Sequence, residues 1–281
     1  ISGPKKTISE TLIAKVPSLS DLYEKLENKE DNIKEQFSDS IDDLISLKDQ
    51  IDNMELNILK AEDDLKWEDK QKIKDMINEA KKELNKIQDI SNAMETLMEQ
   101  SEKHDLFLPD LTKKFQELST LIKEIIPENL LKNLKDAQNS LEEMDLQSLQ
   151  KALESMSNNI SEIESELDRY IDIFKRLQAE QKMDELKNRL EKLVNQKDKL
   201  DRDIENIELS NDKSTESRIW QEELRGLEEL NNINQDIDTA SELIKPFSEK
   251  SSESLDKLKD NSDFKLANNN INKTILSIQN N

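Results

Sequence analysis

Residues Ser165–Leu193, SELDRYIDIFKRLQAEQKMDELKNRLEKL, lie inside the longest repeating pattern of the chain. Apolar residues recur here at alternating steps of three and four, which predicts one long helix packed along a narrow apolar stripe. The phase of the repeat changes within this stretch. The predicted stripe runs first through Leu146, Leu149, Leu153, Met156, Ile160, Ile163, Leu167, Tyr170, Phe174 and Leu177, and then through Met183, Leu186, Leu190, Leu193, Lys197, Leu200, Ile204 and Ile207.

The change of phase falls in QAEQK, residues 178–182. Such a change marks a bend, a change in the number of packed helices or a partner site, and the sequence leaves all three open. Tyr170 and Phe174 occupy stripe positions, so we expect them in the core. Arg169, Arg176 and Arg189 lie off the stripe among acidic residues, which is typical of solvent-exposed ion pairs on a helix flank.

Two further heptad stripes precede the long helix. The turn-like segment EDDLKWEDK separates them, so we expect an antiparallel helical hairpin over residues 18–102 that begins at a cap on Ser18 or Ser20. The first stripe is Ile33, Phe37, Ser40, Leu44, Leu47, Ile51, Met54, Ile58, Ala61 and Leu65. The second is Ile73, Ile77, Ala80, Leu84, Ile87, Ser91, Met94 and Met98.

Shorter elements flank the long helix of residues 146–208, for which Asp145 is the expected cap. Pro109 and Pro127 divide residues 103–145 into two short helices that we read as a connector. Residues 209–246 are predicted to be a returning helix that follows the polar loop LSNDKSTES and runs from Arg218 to about Ile244. Its apolar residues are Trp220, Leu224, Leu227, Leu230, Ile233, Ile237 and Ile244.

The tail, residues 247–281, is rich in serine and asparagine and has few apolar residues. We expect it to be weakly ordered, with a short helix near Ser254–Lys259 and another near the end of the chain.

Composition favours the same architecture. Of 281 residues, 37% are charged and 33% hydrophobic, and only two are glycine, a balance typical of long helices that bury a narrow stripe. The formal net charge of −22 opposes binding to nucleic acid, and no apolar run is long enough to insert into a membrane. We predict an all-α fold in which long antiparallel coiled-coil helices form an elongated bundle or rod.

No reaction chemistry can be assembled from the sequence. The only histidine, His104, lies beside Glu102 and Asp105, and we expect it to be a solvated loop residue rather than a metal ligand. We therefore predict no enzyme and no catalytic, cofactor-binding or metal-ligating residue. Trp67 and Trp220 each stand at a predicted helix start, where we expect them to pack as hydrophobic staples.

The N-terminal stretch ISGPKKTISETLIAKVPSL differs from the rest. Pro17 disfavours helix at Val16, so residues 1–17 are expected to be extended, either as the last strand of a preceding domain or as a disordered leader. Because the chain begins at Ile1 rather than methionine, we expect it to be a fragment or a processed product.

Several segments carry a resemblance: SGPK with VPSLSDLYEK, LKWEDKQKIKDMI, LKNLKDAQNSLEEMDLQSLQKALESM and ELDRYIDIFKRLQAEQKMDELKNRLEKLVNQKDKL. Together they cover most of residues 1–208 and resemble a family of large uncharacterised bacterial envelope proteins, best known from Bacteroidetes-like lineages. The resemblance implies upstream transmembrane helices that anchor the protein, a β-sandwich-like region and then coiled coils in the periplasm, on the extracytoplasmic side of the inner membrane. It implies no catalytic residues.

These observations lead to an expected function without catalysis. The chain is interpreted as a structural or scaffolding region that acts as a spacer or a partner-docking rod, with protein partners or self-association through its helices. The alternative is a regulatory binding module. In that case the short helices from Pro109 to Met144 and the phase change near Gln178 form a hinge whose packing shifts on binding.

Overall fold

The structure, a computed structural model, describes residues 17–60, 65–207 and 213–256, and within those ranges every regular element is an α-helix. The predicted all-α class is confirmed. Apart from Pro17, the predicted extended segment lies outside the described residues, as does the helix predicted near the end of the chain. The helices are α1 (Leu19–Lys60), α2 (Trp67–Lys103), α3 (Pro109–Glu124), α4 (Glu128–Glu143), α5 (Leu146–Ile207), α6 (Lys213–Ile244) and α7 (Glu249–Asp256).

Helix α1 runs antiparallel to both α2 and α5. At one end of α1, the Tyr23 hydroxyl donates to the carbonyl of Leu106, just beyond α2, at 3.4 Å. Towards its other end, the Ser157 hydroxyl of α5 lies 2.6 Å from the Asp52 carboxylate. The start of α1 thus lies near the end of α2, and the end of α1 lies near the start of α5.

The short helices α3 and α4 follow one another along α5. Lys114 of α3 contacts Glu180 at 2.8 Å, and Asn129 of α4 contacts Asn159 at 3.5 Å, so the direction of α3 and α4 opposes that of α5. Both short helices also pack against α2. Together they fill the fourth side of a bundle whose other sides are α1, α2 and the first half of α5.

Local sequence signals explain where these helices begin. Ser18 and Asp21 form a reciprocal capping box: the Asp21 N–H donates to the Ser18 hydroxyl at 3.0 Å and the Ser18 N–H donates to the Asp21 carboxylate at 2.8 Å. Asp145 accepts from the Ser148 N–H at 3.1 Å, which confirms it as the cap of α5. Just before it, Met144 ends α4 with a left-handed φ of 62°, so the chain reverses within two residues.

The core of the bundle lies where the heptads predict. The stripe residues of α1 from Ile33 to Ile58 are buried, and α2 buries its predicted stripe together with neighbouring positions because it packs on two sides. Phe174 lies in the core with ring centroids 5.9 Å from both Phe37 of α1 and Phe115 of α3. Tyr170 is 5% exposed, so both Tyr170 and Phe174 are core residues, as expected.

Beyond Leu177, α5 continues into a second apolar cluster with α6 and α7. Helix α5 has 62 residues, which corresponds to a length of about 93 Å at 1.5 Å per residue. The second cluster consists of Ala179, Met183, Leu186, Leu190, Leu193, Ile233, Ile237, Ala240, Ile244 and Leu255.

Helix α7 corrects the prediction for the tail. It begins at Glu249 rather than near Ser254, because Leu255 and Ser252 are buried against α6. The hydroxyl groups of Ser252 and Ser241 lie 2.7 Å apart and tie the two helices together. The start of the tail is thus part of the second cluster.

The staple prediction for the two tryptophans is wrong. Trp67 is 76% exposed and Trp220 is 62% exposed. Leu224 and Leu227, on the predicted stripe of α6, are also exposed, because in the described residues only the far end of α5 packs against this part of α6. A helix in a pair has one neighbour and therefore leaves part of its apolar surface in water.

Candidate functional site

The part of α5 around the phase change is buried on nearly every side. From Leu177 to Leu186 all residues except Glu180 are buried, although five of these nine buried residues are polar or charged. The first turns of α1, the start of α3 and the second half of α6 all lie against this part of α5. The phase change is therefore the place where the neighbours of α5 change.

Three stripes share this segment. The stripe of the bundle continues at steps of four and three to Gln181 and Asp184, and a second stripe starts at Met183 and Leu186. The third, which we call the charged stripe, consists of Lys182, Glu185 and Arg189; their steps of three and four place them on one face of the helix. All three residues of the charged stripe are at most 3% exposed.

Lys182 joins three helices. Its ammonium group contacts Glu27 of α1 in a short ion pair, Glu185 on its own helix at 3.1 Å and Asp236 of α6 at 3.3 Å. A buried ammonium group loses its hydration and is stable only with such partners. Lys182 therefore links α6 to α1 through α5.

Arg189 makes a second connection to α6. Its Nε donates to Glu229 at 2.7 Å, one terminal nitrogen donates to Glu185 at 2.8 Å, and the same nitrogen forms a short ion pair with Asp236. The planar guanidinium group suits several carboxylates at once. Asp236 thus receives both cations of the charged stripe.

Burial and charge oppose each other in these groups. Burial raises the pKa of Glu185, while Lys182 and Arg189 act in the opposite direction. For Lys182, burial lowers the pKa but the surrounding carboxylates, Glu185 first, outweigh it and raise the pKa above its usual range. Pairing thus favours the ionised forms of both groups, but for Glu185 burial outweighs it and the net shift of the pKa is upward.

A cavity of about 340 Å³ adjoins the charged stripe between α1, α5 and α6. Both carboxylate oxygens of Glu30 and both polar atoms of the Gln181 amide are buried without a hydrogen-bond partner, as is the side-chain oxygen of Gln178. The cavity is lined by Glu27, Glu30, Asp31, Lys34, Gln178, Gln181, Lys182, Thr239, Glu242 and Leu243.

Glu30 lies in the apolar stripe of α1, one step before Ile33, the first residue of the predicted stripe. Extending that stripe towards the N-terminus at the same steps passes through Glu30, Leu26 and Tyr23, all of them buried. Burial first, and the nearby acids Glu27 and Glu185 next, raise the pKa of Glu30 well above its usual range. A glutamate at a stripe position was the available sequence signal for this site.

Other residues singled out from the sequence lie apart from this site. His104 ends α2 and is exposed together with Glu102 and Asp105, and no group of three or more potential metal ligands occurs within the described ranges. Arg169 forms the expected exposed pair with Glu166 at 2.8 Å. For Arg189 the same expectation is wrong, because α6 covers it and supplies its carboxylate partners.

Two further observations concern the apolar surface of the helices. Trp220, Leu224 and Leu227 form an exposed apolar strip on α6, beside a groove of about 100 Å³ between the ends of α5 and α6. Within the described residues, no helix combines the length and apolar character that crossing a membrane requires.

Comparison of the chain with protein-family models, with curated proteins and with solved structures found no match.

Replacing Arg189 by methionine tests the importance of the charged stripe. The change leaves Glu185 buried and short of one partner, so we expect the free energy of unfolding to fall by about 3–5 kcal/mol. Arg169→Met is the matched control, because it removes an exposed ion pair worth at most about 1 kcal/mol. Urea denaturation followed by circular dichroism gives the free energy of unfolding of both variants. Equal losses would show that the buried ion pairs of Arg189 stabilise the fold no more than an exposed pair does.

Replacing Asp184 by asparagine should stabilise the protein at neutral pH. Burial raises the pKa of Asp184 to about 6 from 3.8, so the folded state binds more protons than the unfolded state within this window. The contribution of Asp184 to stability therefore falls as the pH rises from about 4 to 6. We expect Asp184→Asn to gain roughly 1–3 kcal/mol over the wild type at pH 7.5.

At pH 4 this gain should be largely lost, because both side chains are then mostly uncharged. The exposed Asp168→Asn, on the same helix, is the matched control for the loss of one carboxyl group. Thermal denaturation at the two pH values measures the effect. A gain that is the same at both would show that Asp184 does not titrate as described.

Proposed function

We propose that the chain is a non-catalytic helical scaffold that holds two packed regions at a defined separation and acts through protein partners. The supporting observation is that α5 runs without interruption through both apolar clusters. A spacer needs a stiff element that does not end between the regions it separates, and a helix of this length is such an element.

The charged stripe supports this proposal. It lies close to the point where one apolar cluster gives way to the other, and its ion pairs connect α5 to α1 and to α6. Ion pairs at a buried position favour one register of the helices, since any shift along α5 leaves charges without partners. The relative placement of the two regions would then be specified rather than variable.

The surface composition also agrees with a scaffold. The formal net charge of −22 disfavours nucleic acid and anionic membrane surfaces as partners. Protein partners or self-association through the helices remain the proposed mode of action. On the resemblance alone, we further propose a membrane-anchored envelope protein with this region in the periplasm, a location that protease accessibility in intact spheroplasts would test.

A regulatory binding module is the second candidate, and one observation favours it. The cavity at the junction of α1, α5 and α6 holds buried polar groups that have no partner. A ligand at this position would contact three helices at once and could bias their packing.

Small-angle X-ray scattering with in-line light scattering tests the scaffold. We expect a monomer of 32.7 kDa whose maximum dimension is about 100 Å, since α5 alone spans about 93 Å. The radius of gyration should clearly exceed the value of about 19 Å for a globular domain of this length. A globular particle would contradict the spacer. An elongated dimer would favour self-association through the helices over binding to other protein partners.

A further inference from the structure

The cavity beside the charged stripe contains groups that the scaffold does not use. Glu30 and Gln181 line it, are 0% and 1% exposed, and have no hydrogen-bond partner. Unsatisfied polar groups that are fully buried cost free energy, and each therefore requires an explanation. Ser91 and Ser119, buried between α2 and α3, show the usual solution, because their hydroxyl groups bond to each other at 3.0 Å.

We propose that this cavity binds a small organic cation with N–H donors, of the class of short alkyl diamines, through the Glu30 carboxylate and the amides of Gln178 and Gln181.

The balance of hydrogen-bonding groups supports a donor as the ligand. Among the groups that line the cavity, the atoms without a partner are the two oxygens of Glu30, the side-chain oxygens of Gln178 and Gln181, and the nitrogen of Gln181. With Glu30 ionised, as a bound cation would favour, four of these five atoms are acceptors and one is a donor. An ammonium group supplies three N–H donors and no acceptor, which matches this excess of acceptors.

The charged groups that line the cavity also favour a cationic ligand. Four carboxyl groups line the cavity, on Glu27, Glu30, Asp31 and Glu242, against the two ammonium groups of Lys34 and Lys182. Both ammonium groups are already engaged, Lys34 with Asp31 at 2.8 Å and Lys182 with its three partners. A cationic ligand would therefore meet a site with excess negative charge.

Size and geometry favour an organic cation over a metal ion. The cavity of about 340 Å³ holds several non-hydrogen atoms. No group of three or more potential metal ligands is found in the described part of the chain, so these carboxylates are not arranged around one point. A chain of a few methylene groups would also contact Leu243, the one apolar side chain in the lining.

Binding should be linked to proton release. Burial raises the pKa of Glu30, and it is raised further by Glu27 and Asp31 on α1 and Glu185 on α5, while Lys182 lowers it. Glu242 of α6 and Lys34 of α1 also line the same space. These surroundings favour the protonated form of Glu30 in the empty site, whereas a bound cation favours the ionised carboxylate. Affinity should rise with pH until Glu30 is ionised without ligand.

Isothermal titration with 1,4-diaminobutane in 150 mM NaCl tests the proposal. We expect saturable binding of one molecule per chain, reduced at least tenfold in Glu30→Gln. Glu35→Gln is the matched control, because Glu35 lies on α1, is exposed and does not line the cavity. Both variants lose one acidic group, so cations that merely collect around the acidic surface would respond equally to both.

Two further readouts separate this site from a structural role of Glu30. Repeating the titration in buffers of different ionisation enthalpy should show proton release by the wild type but not by Glu30→Gln. Tetramethylammonium, which carries charge without N–H donors, should bind at least tenfold more weakly than the diamine. If Glu30→Gln does not keep its helical circular dichroism, Gln181→Leu takes its place and the exposed Gln147→Leu is its control. Diamine binding should then fall at least tenfold in Gln181→Leu but not in Gln147→Leu.

Absence of saturable binding to the wild type would overturn the proposal and leave water as the occupant of the cavity. Equal affinities of Glu30→Gln and Glu35→Gln would overturn it as well. Neither result bears on the length of the particle in solution, so the scaffold proposal and the ligand site can fail independently.

Discussion

Two cations buried on one face of α5, Lys182 and Arg189, impose the main constraint on this structure. Neither can be removed from water without carboxylates around it, and neither finds enough of them on its own helix. Glu27 must come from α1, and Glu229 and Asp236 from α6. The arrangement of three helices follows from this requirement, because displacing any one of them leaves a buried charge without its partner.

These ion pairs lie where apolar packing alone does least to fix the register of the helices. One apolar cluster ends at Leu177 and the next begins at Ala179 on the same helix. Apolar stripes tolerate small shifts in register, since one leucine can replace another in a contact, whereas ion pairs and buried amides require particular partners. The cavity lined by Glu30 lies beside these ion pairs, so a change in its occupancy would be felt where the two regions join. Rigidity and possible regulation thus share one location.

Much of the fold follows from the heptads, but the site does not. Steps of three and four located the core, including Tyr170 and Phe174, because burial in a helical bundle repeats with the helix. Arg189 was misassigned because periodicity along one helix does not reveal that α6 covers the charged face. Extending the stripe of α1 by one step of three residues before Ile33 predicts that Glu30 is buried. The heptads do not predict the exposure of Trp220, because it depends on how many helices pack against that part of α6.

Measuring the distance between two points on α5 tests most directly whether the helix is continuous across the junction. The chain has no cysteine, so Asn158→Cys and Lys199→Cys, both exposed positions, can carry spin labels without a background. They lie on either side of the charged stripe. Pulsed dipolar spectroscopy should give one narrow distribution centred near about 60 Å, the length of the intervening helix. A broad distribution, or one centred at a much shorter distance, would show that α5 bends or breaks at the phase change and would contradict the rigid scaffold.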